Sequence, residues 1–558
     1  MEWTAETYRE YGLRPSIDPV PIPEGPRDVA SALSAAAAAR PDAEALVGRH
    51  DRFTYRQYDQ AVDAAVGFLW ALGLRPGDRV AASAGNHTEI AIAFFAAMRM
   101  GAIWVGINRR LAPAEKRFLL RDSGARILLA EDEVLAELAA SREELGLTAT
   151  VSLEPTDPAS AWRKGLAAHA GALQRDINID PWAPAAIAYT SGTTGFPKGA
   201  VHSQHNMMLV PTVQQAEIDP AELPTRRIGT TTPLTILNLM ILGPVAAARA
   251  QCAHICVDRT DPAGLAEWIG REQITVTTCA PTTAYDMLTR PDIRPEDLKS
   301  LVQLSVGGAM VPEKLPALYF ERFGCLPRVG YGLTEAPTGV AASDGTAPAR
   351  QGEIGRPSAH LEIEILDDSG EILAAQASGE ICVRATRTGP FAGLYRPTLG
   401  YWKNAEATDR LLRGGWLHTG DVGFKDDDGV LNIQDRRTDV IIRGGSNIYP
   451  AEVERVLRLE SRIADCAVLG KSDERLGQVV VAFVEPRSEA RTDPSLTQDL
   501  EALCRENLAR YKQPVEWHFI DQLPRNAMGK IVKPLLKERL ESGSSAPSSV
   551  EAAAQPQA

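Results

Sequence analysis

The sequence predicts an α/β protein: a large N-terminal domain of layered parallel α/β subdomains with a small β unit, then a small α+β domain. Three observations carry this expectation. Ala-rich stretches with helical spacing, at 29–40, 58–72, 90–100 and 134–145, alternate with short apolar runs at 79–84, 103–107, 125–130, 186–190, 228–232, 253–257 and 275–280. Strands alternating with helices form parallel sheets. After about residue 353 the text turns to strands separated by acid-rich turns, such as 367–370 and 426–429, which is the pattern of an antiparallel unit. A polar run at 435–439 then divides two apolar stretches as a linker would.

Beyond the linker the pattern gives a helix after Pro450, strands near 466–469 and 479–484, and a helix over 496–508. In the last, Leu500, Leu503, Cys504 and Leu508 fall on one face at helical spacing. Residues 542–558 carry almost no bulky apolar side chain, so this tail is expected to be disordered.

Composition narrows the function. The 558 residues are enough for about three or four domain units. A net charge of −13 repels phosphate backbones and argues against non-specific nucleic-acid binding, while leaving room for small anionic ligands. Seven scattered cysteines argue for a reducing compartment rather than a disulfide framework. Cys252, His254 and Cys256 cluster, but no second pair completes a zinc site, so they are expected to be fillers in a buried strand. The start has acids where a signal peptide needs basic residues, and the most apolar stretch, 234–250, is broken by Asn238, Gly243, Pro244 and Arg249. A cytoplasmic protein with no integral membrane segment is the expectation.

The chemistry-bearing segment is YTSGTTGFPKG at 189–199, directly after an apolar run. Its glycines let backbone N–H groups converge on an anion, and its hydroxyls add donors around phosphate oxygens. A P-loop requires Gly-Lys-Ser/Thr after four intervening residues; here Phe196 and Pro197 separate Gly195 from Lys198, and Gly199 follows the lysine. A P-loop phosphotransferase is therefore disfavoured.

This segment resembles the AMP-binding signature of the adenylate-forming superfamily, which includes acyl-CoA synthetases, adenylation domains and luciferases. Companion segments follow in the family's order: GGA at 307–309, YGLTE at 331–335, WLHTGD at 416–421, DRRTD at 435–439, RGGSNIYP at 443–450 and PRNAMGK at 524–530. The resemblance spans about residues 25–541 and implies a domain of residues 1–435 with the ATP and acyl sites, hinged to a mobile domain of residues 436–541.

Residue by residue, the resemblance gives Thr190, Ser191, Gly192, Thr193, Thr194, Gly195 and Lys198 to the β- and γ-phosphates of ATP. It gives Thr334 to the α-phosphate, Glu335 to Mg²⁺, and Tyr331 to the adenine face, with Gly308 and Ala309 leaving room for close approach. Asp421 and Arg436 match the ribose contacts, and Lys530 the mobile catalytic lysine. Gly444 and Gly445 match the loop lining the pantetheine tunnel of coenzyme A. These groups suit adenylation, in which two anions meet and donors must neutralise charge developing at phosphorus.

The sequence departs from the family pattern twice. The hinge position, usually Asp or Lys, is Thr438, and Ile236 stands where many members carry a His or aromatic gate to the acyl pocket. That pocket is expected to include His205, Ile236, Gly307 and Gly332, from segments near 205–208, 233–238, 305–310 and 333–340. None of these segments contains Lys or Arg, which implies a mono-acid with an apolar body: medium-chain, alicyclic or simple aromatic. The leading expectation is an ATP- and Mg²⁺-dependent carboxylic acid:CoA ligase acting through an acyl-AMP. The alternative is a free-standing acyl-AMP ligase loading a carrier protein. A homodimer is compatible with either.

Overall fold

The computed structural model describes residues 3–171, 177–190, 196–307, 314–337, 339–343, 345, 353–436, 440–487, 490, 493–525 and 531–542; side chains at 282, 434–436, 451 and 542 are not described. Ser191, Gly192, Thr193, Thr194, Gly195, Gly308, Ala309, Thr438, Lys530 and the tail from 543 lie outside the described residues, as does the side chain of Arg436.

Two sheets organise the N-terminal body. The first, among the described residues, runs Gly400–Tyr401, Lys198–Ser203, Pro184–Thr190, Ile103–Gly106, Arg79–Ser83, Ile127–Ala130, Ala149–Ser152. Its strands from Pro184–Thr190 onward are parallel, as the alternating text predicts. Pro184–Thr190 then pairs antiparallel with Lys198–Ser203, setting Thr190 opposite Lys198 at the two ends of the Gly-rich segment. Helix Thr88–Arg99 is buried from Thr88 through Met98, so its text is apolar nearly all round.

The second sheet begins with Arg52–Thr54 and Glu44–Val47, then runs in parallel through Ala253–Cys256, Arg227–Thr230, Val276–Cys279, Gln303–Gly307 and Arg328–Tyr331. Its edge does not end there. The two-residue strand Ala341–Ala342 pairs antiparallel with Arg328–Tyr331 and then with Glu353–Pro357. The antiparallel unit expected after residue 353 is thus an extension of this sheet, carried on through Leu431–Arg436, Trp416–Lys425, Gly379–Ala385 and Leu361–Leu366.

From Ile441 the chain builds a separate five-stranded sheet around the long hairpin Ile463–Asp473 and Gly477–Pro486. Strand alternation sorts its side chains onto two faces. Cys466, Val468, Val480, Ala482 and Val484 pack with Val453, Val456, Leu500 and Cys504 from helices Pro450–Leu457 and Leu496–Asn507. Ala467, Leu469, Val481 and Phe483 pack with Leu523 and Leu536 on the other side. No helix among the described residues is long and apolar enough to cross a membrane.

Gly106 ties the first sheet to the loop 231–236. A Cβ there would lie 2.0 Å from the Thr235 carbonyl oxygen, within backbone that cannot yield without moving the loop. Gly106→Ala should therefore destabilise the protein by about 2 kcal/mol or more, seen as a melting temperature lowered by several degrees. An unchanged melting temperature would show that loop and strand do not constrain one another.

Candidate active site

A cavity of about 2290 Å³ opens where the parallel strands of both sheets end and the C-terminal domain covers them. Ligands collect at such C-terminal strand edges because loops there diverge and leave backbone groups unpaired. Thr230, Cys279, Gly307, Tyr331 and Lys198 all contribute to the lining from strand ends.

At one end the Tyr331 hydroxyl donates to Asp421 Oδ2 at 2.6 Å. Asp421 is only 4% exposed, and its own backbone N–H bonds the Thr419 hydroxyl at 3.1 Å. The turn before it needs Gly420 at φ 75°, and the Gly420 N–H donates to Glu380 Oε1 at 3.1 Å. Glu380 Oε2 accepts from His418 Nδ1 at 2.9 Å and from Arg413 at 3.1 Å. Burial pushes the Glu380 carboxyl up, but His418, Arg413 and Gly420 together hold it below the usual range. This charged acceptor thus fixes the turn that aims Asp421, and the sequence reading did not single out Glu380. Cys382 completes a cluster with Glu380 and His418, and its sulfur lies 3.3 Å from the His418 Nδ1 that is committed to Glu380.

Thr334 and Glu335 stand in a second constellation. His202 Nε2 donates to the Thr334 carbonyl at 2.7 Å, and its Nδ1 accepts from Asn206 at 3.1 Å. Because a carbonyl only accepts, these two bonds fix the tautomer. Burial pushes His202 down to about 4, which keeps the ring neutral near pH 7. Glu335 Oε1 accepts from the Tyr401 hydroxyl at 2.7 Å and from Thr190 at 3.5 Å, while Oε2 has no hydrogen-bond partner among the described residues. The Lys198 ammonium lies 5.5 Å from the Tyr401 ring; burial, then Arg410, push it below its ordinary range.

Ile236, Leu237, Leu239, Leu242 and Ala246 bring an aliphatic stretch to the lining; Val213 and Ile218 join it together with the polar Gln214, Gln215, Glu217, Asp219, Glu222 and Arg226, and Gly307 and Gly332 lie beside Tyr331 in the chain or sheet. Ile236 is 40% exposed, an unusual position for a large aliphatic side chain unless something covers it. His205 does not belong here. It sits in the first turn of helix Gln204–Ala216, with Nε2 2.8 Å from the Leu394 carbonyl and its ring 3.9 Å from that of Trp182. The same helix reaches the cavity with its far end, Val213 to Gln215. About ten residues, nearly three turns, separate the two, so the pocket assignment of His205 is corrected.

The C-terminal domain closes the third side. Gly444 and Gly445 have φ of 55° and 84°, and a Cβ on Gly445 would lie 2.9 Å from Ala280 Cβ. Left-handed backbone and close approach therefore both require glycine at Gly445. Arg110, Arg443, Arg475 and Arg510 line this mouth, and none forms an ion pair among the described residues.

The structure thus gathers Thr190, Lys198, Gly307, Tyr331, Gly332, Thr334, Glu335, Asp421, Gly444, Gly445 and Ile236 around one cavity. Backbone pairing also sets Arg436 opposite Asp421. Beyond the expected residues, Glu380, Tyr401, His202 and the four arginines belong to the site or its support.

Known proteins match this chain along most of its length. The profile described as AMP-binding enzyme matches residues 33–395, and that of the AMP-binding enzyme C-terminal domain matches residues 452–530. An indoleacetate–CoA ligase of Aromatoleum aromaticum is 34% identical over 86% of this chain and 92% of its own. A feruloyl-CoA synthase of an Amycolatopsis species is 34% identical over 90% of this chain and 97% of its own. Among solved structures, an amide bond synthetase of Marinactinospora thermotolerans superposes with a TM-score of 0.78 at 28% identity, covering 92% of this chain and 99% of that one. The chain belongs to the AMP-binding enzyme family and is an adenylate-forming enzyme of the acyl-CoA synthetase type.

Proposed function

We propose that the protein is an ATP-dependent carboxylic acid:CoA ligase that makes an acyl-CoA thioester through an acyl-AMP, with an apolar mono-acid as substrate. One observation carries this reading: the buried Tyr331–Asp421 pair, Thr334, Glu335, the aliphatic Ile236 and Gly445, where a Cβ would meet Ala280, all line a single cavity. The Tyr331 ring offers a flat face to a base, and Asp421, held by Tyr331 and by its turn, accepts from ribose hydroxyls. Thr334 and Lys198 line the same cavity, and on the family resemblance they and the Gly-rich segment would supply the donors and positive charge that adenylation needs as charge builds at phosphorus.

Glu335 fits a magnesium ion, a hard cation that favours carboxylate oxygen, because it lines the cavity and its Oε2 has no hydrogen-bond partner among the described residues. Bound there, the ion would neutralise phosphate charge. The roles of Lys530, Arg436 and a hinge at Thr438, with domains divided near residues 435–436, rest on the resemblance.

For the acid, the aliphatic lining and the absence of Lys and Arg at 233–238 favour an apolar body without a second carboxylate. The relatives named for indoleacetate and ferulate favour an aromatic ring on a short side chain within that class. Loading of a carrier protein is the alternative. The arginines at the mouth, which form no ion pair among the described residues, suit the phosphates of CoA and favour it.

A panel of mono-acids with ATP, Mg²⁺ and CoA should give AMP, pyrophosphate and thioester, with arylalkanoic acids among the best substrates. Acid-dependent ADP would contradict adenylation, and thioester formed only on a carrier protein would favour the alternative.

Tyr331→Phe keeps the ring but releases Asp421. A hydrogen bond to a charged acceptor contributes about 1.5–3 kcal/mol, so the melting temperature should fall by several degrees and KM for ATP should rise roughly tenfold. An unchanged KM would remove Asp421 from nucleotide binding. Ile236→Phe should narrow the cavity at its aliphatic stretch and favour smaller acids, since overpacking costs about 1–3 kcal/mol, or roughly one to two orders of magnitude in kcat/KM. The same acid ranking in variant and parent would place Ile236 away from the substrate.

A further inference from the structure

A buried ionic bridge joins the C-terminal domain to the N-terminal body. Glu115, on helix Pro113–Ser123 of the body, accepts from Lys512 Nζ at 2.6 Å through Oε1. Its Oε2 accepts from the backbone N–H groups of Ala112 at 2.7 Å and Ala509 at 2.8 Å. Lys512 also donates to Glu452 Oε1 at 2.8 Å, and all three side chains are buried. Burial alone would lower the Lys512 ammonium, but the two carboxylates raise it above its ordinary value; burial pushes Glu452 up. Each domain has its own apolar core, separate from the bridge.

What the bridge does control is position. Next to Lys512, the Tyr511 carbonyl accepts from Arg443 at 2.7 Å, and Arg443 leads directly into Gly444 and Gly445. The Gly444 N–H is held by the Leu476 carbonyl at 2.8 Å, and Gly445 lies against Ala280 of the body. A short run of hydrogen bonds and chain thus connects Glu115 to Gly445, where it lies against Ala280.

We infer that Glu115 and Lys512 are positioning residues for thioester formation, seating the C-terminal domain so that the passage between Gly445 and Ala280 admits a pantetheine-like thiol chain. The inference rests on the two-step ligase reading. Tyr331, Asp421, Thr334 and Glu335 all belong to the body and keep their places when the bridge is broken.

Glu115→Gln preserves shape. Its single remaining oxygen cannot serve both the backbone N–H groups and the ammonium, so one set of contacts is lost, and with it the ionic pairing, without a cavity. Lys512→Met removes the charge from the other side. In each, acid-dependent pyrophosphate exchange with ATP should stay within about twofold of the parent. Thioester formation from supplied acyl-AMP and CoA should slow by about ten- to a hundredfold, the scale on which a 1 Å misplacement acts. The double variant should be no slower than Lys512→Met alone, because the pair works as a unit.

Thioester rates within twofold of the parent in both single variants would overturn the inference. So would an equal fall of both half-reactions together with melting temperature, which marks a structural role only. Failure of the parent itself to form thioester would overturn the ligase reading as well, whereas failure confined to the expected variant effects would overturn the bridge alone.

Discussion

The hydrogen bond from Tyr331 to Asp421 closes a gap that the sheet opens. Tyr331 ends the last parallel strand of the second sheet, whereas Asp421 lies in a strand of its antiparallel extension. The two meet only because Ala341–Ala342 turns the sheet edge and lets the chain continue in the opposite sense. A buried carboxylate is costly unless its oxygens are satisfied, so the fold must deliver donors to Asp421. Tyr331 supplies one. The rest of the nucleotide end follows from keeping that carboxylate in place.

Glu380 and His202 extend the same logic into the supporting layer. Glu380 holds the turn before Asp421, and His202 holds the carbonyl of Thr334. Each is a buried polar group that satisfies a backbone group of the site, and neither needs to touch a ligand to act. Tyr401 does comparable work on Glu335 from the edge strand of the first sheet, so both sheets fix the same cluster. The C-terminal domain contributes the passage at Gly445 and three of the arginines at the mouth, Arg443, Arg475 and Arg510.

Much of this was legible in the sequence where the signal is local. Each helix or strand, the Gly-rich segment and each companion segment is read from a short run of consecutive residues. The strand Lys198–Ser203 was not anticipated, because it continues the Gly-rich text without a break in composition. The continuity of the second sheet was hidden because it depends on a two-residue strand. His205 was misplaced because sequence position fixes a helix but not which of its ends meets the cavity. At Gly445 a left-handed turn and a close approach to Ala280 coincide, and the sequence shows neither. The Glu115–Lys512 bridge spans 397 positions and leaves no pattern for periodicity to find.

The central claim is that carboxylate and nucleotide react with each other inside this one cavity before any thiol enters. Following an isotopic oxygen label tests it most directly. With a substrate acid labelled in both carboxylate oxygens, a single turnover should transfer one labelled oxygen to AMP and leave one in the thioester carbonyl. Label appearing in inorganic phosphate, or AMP released without label, would contradict the account.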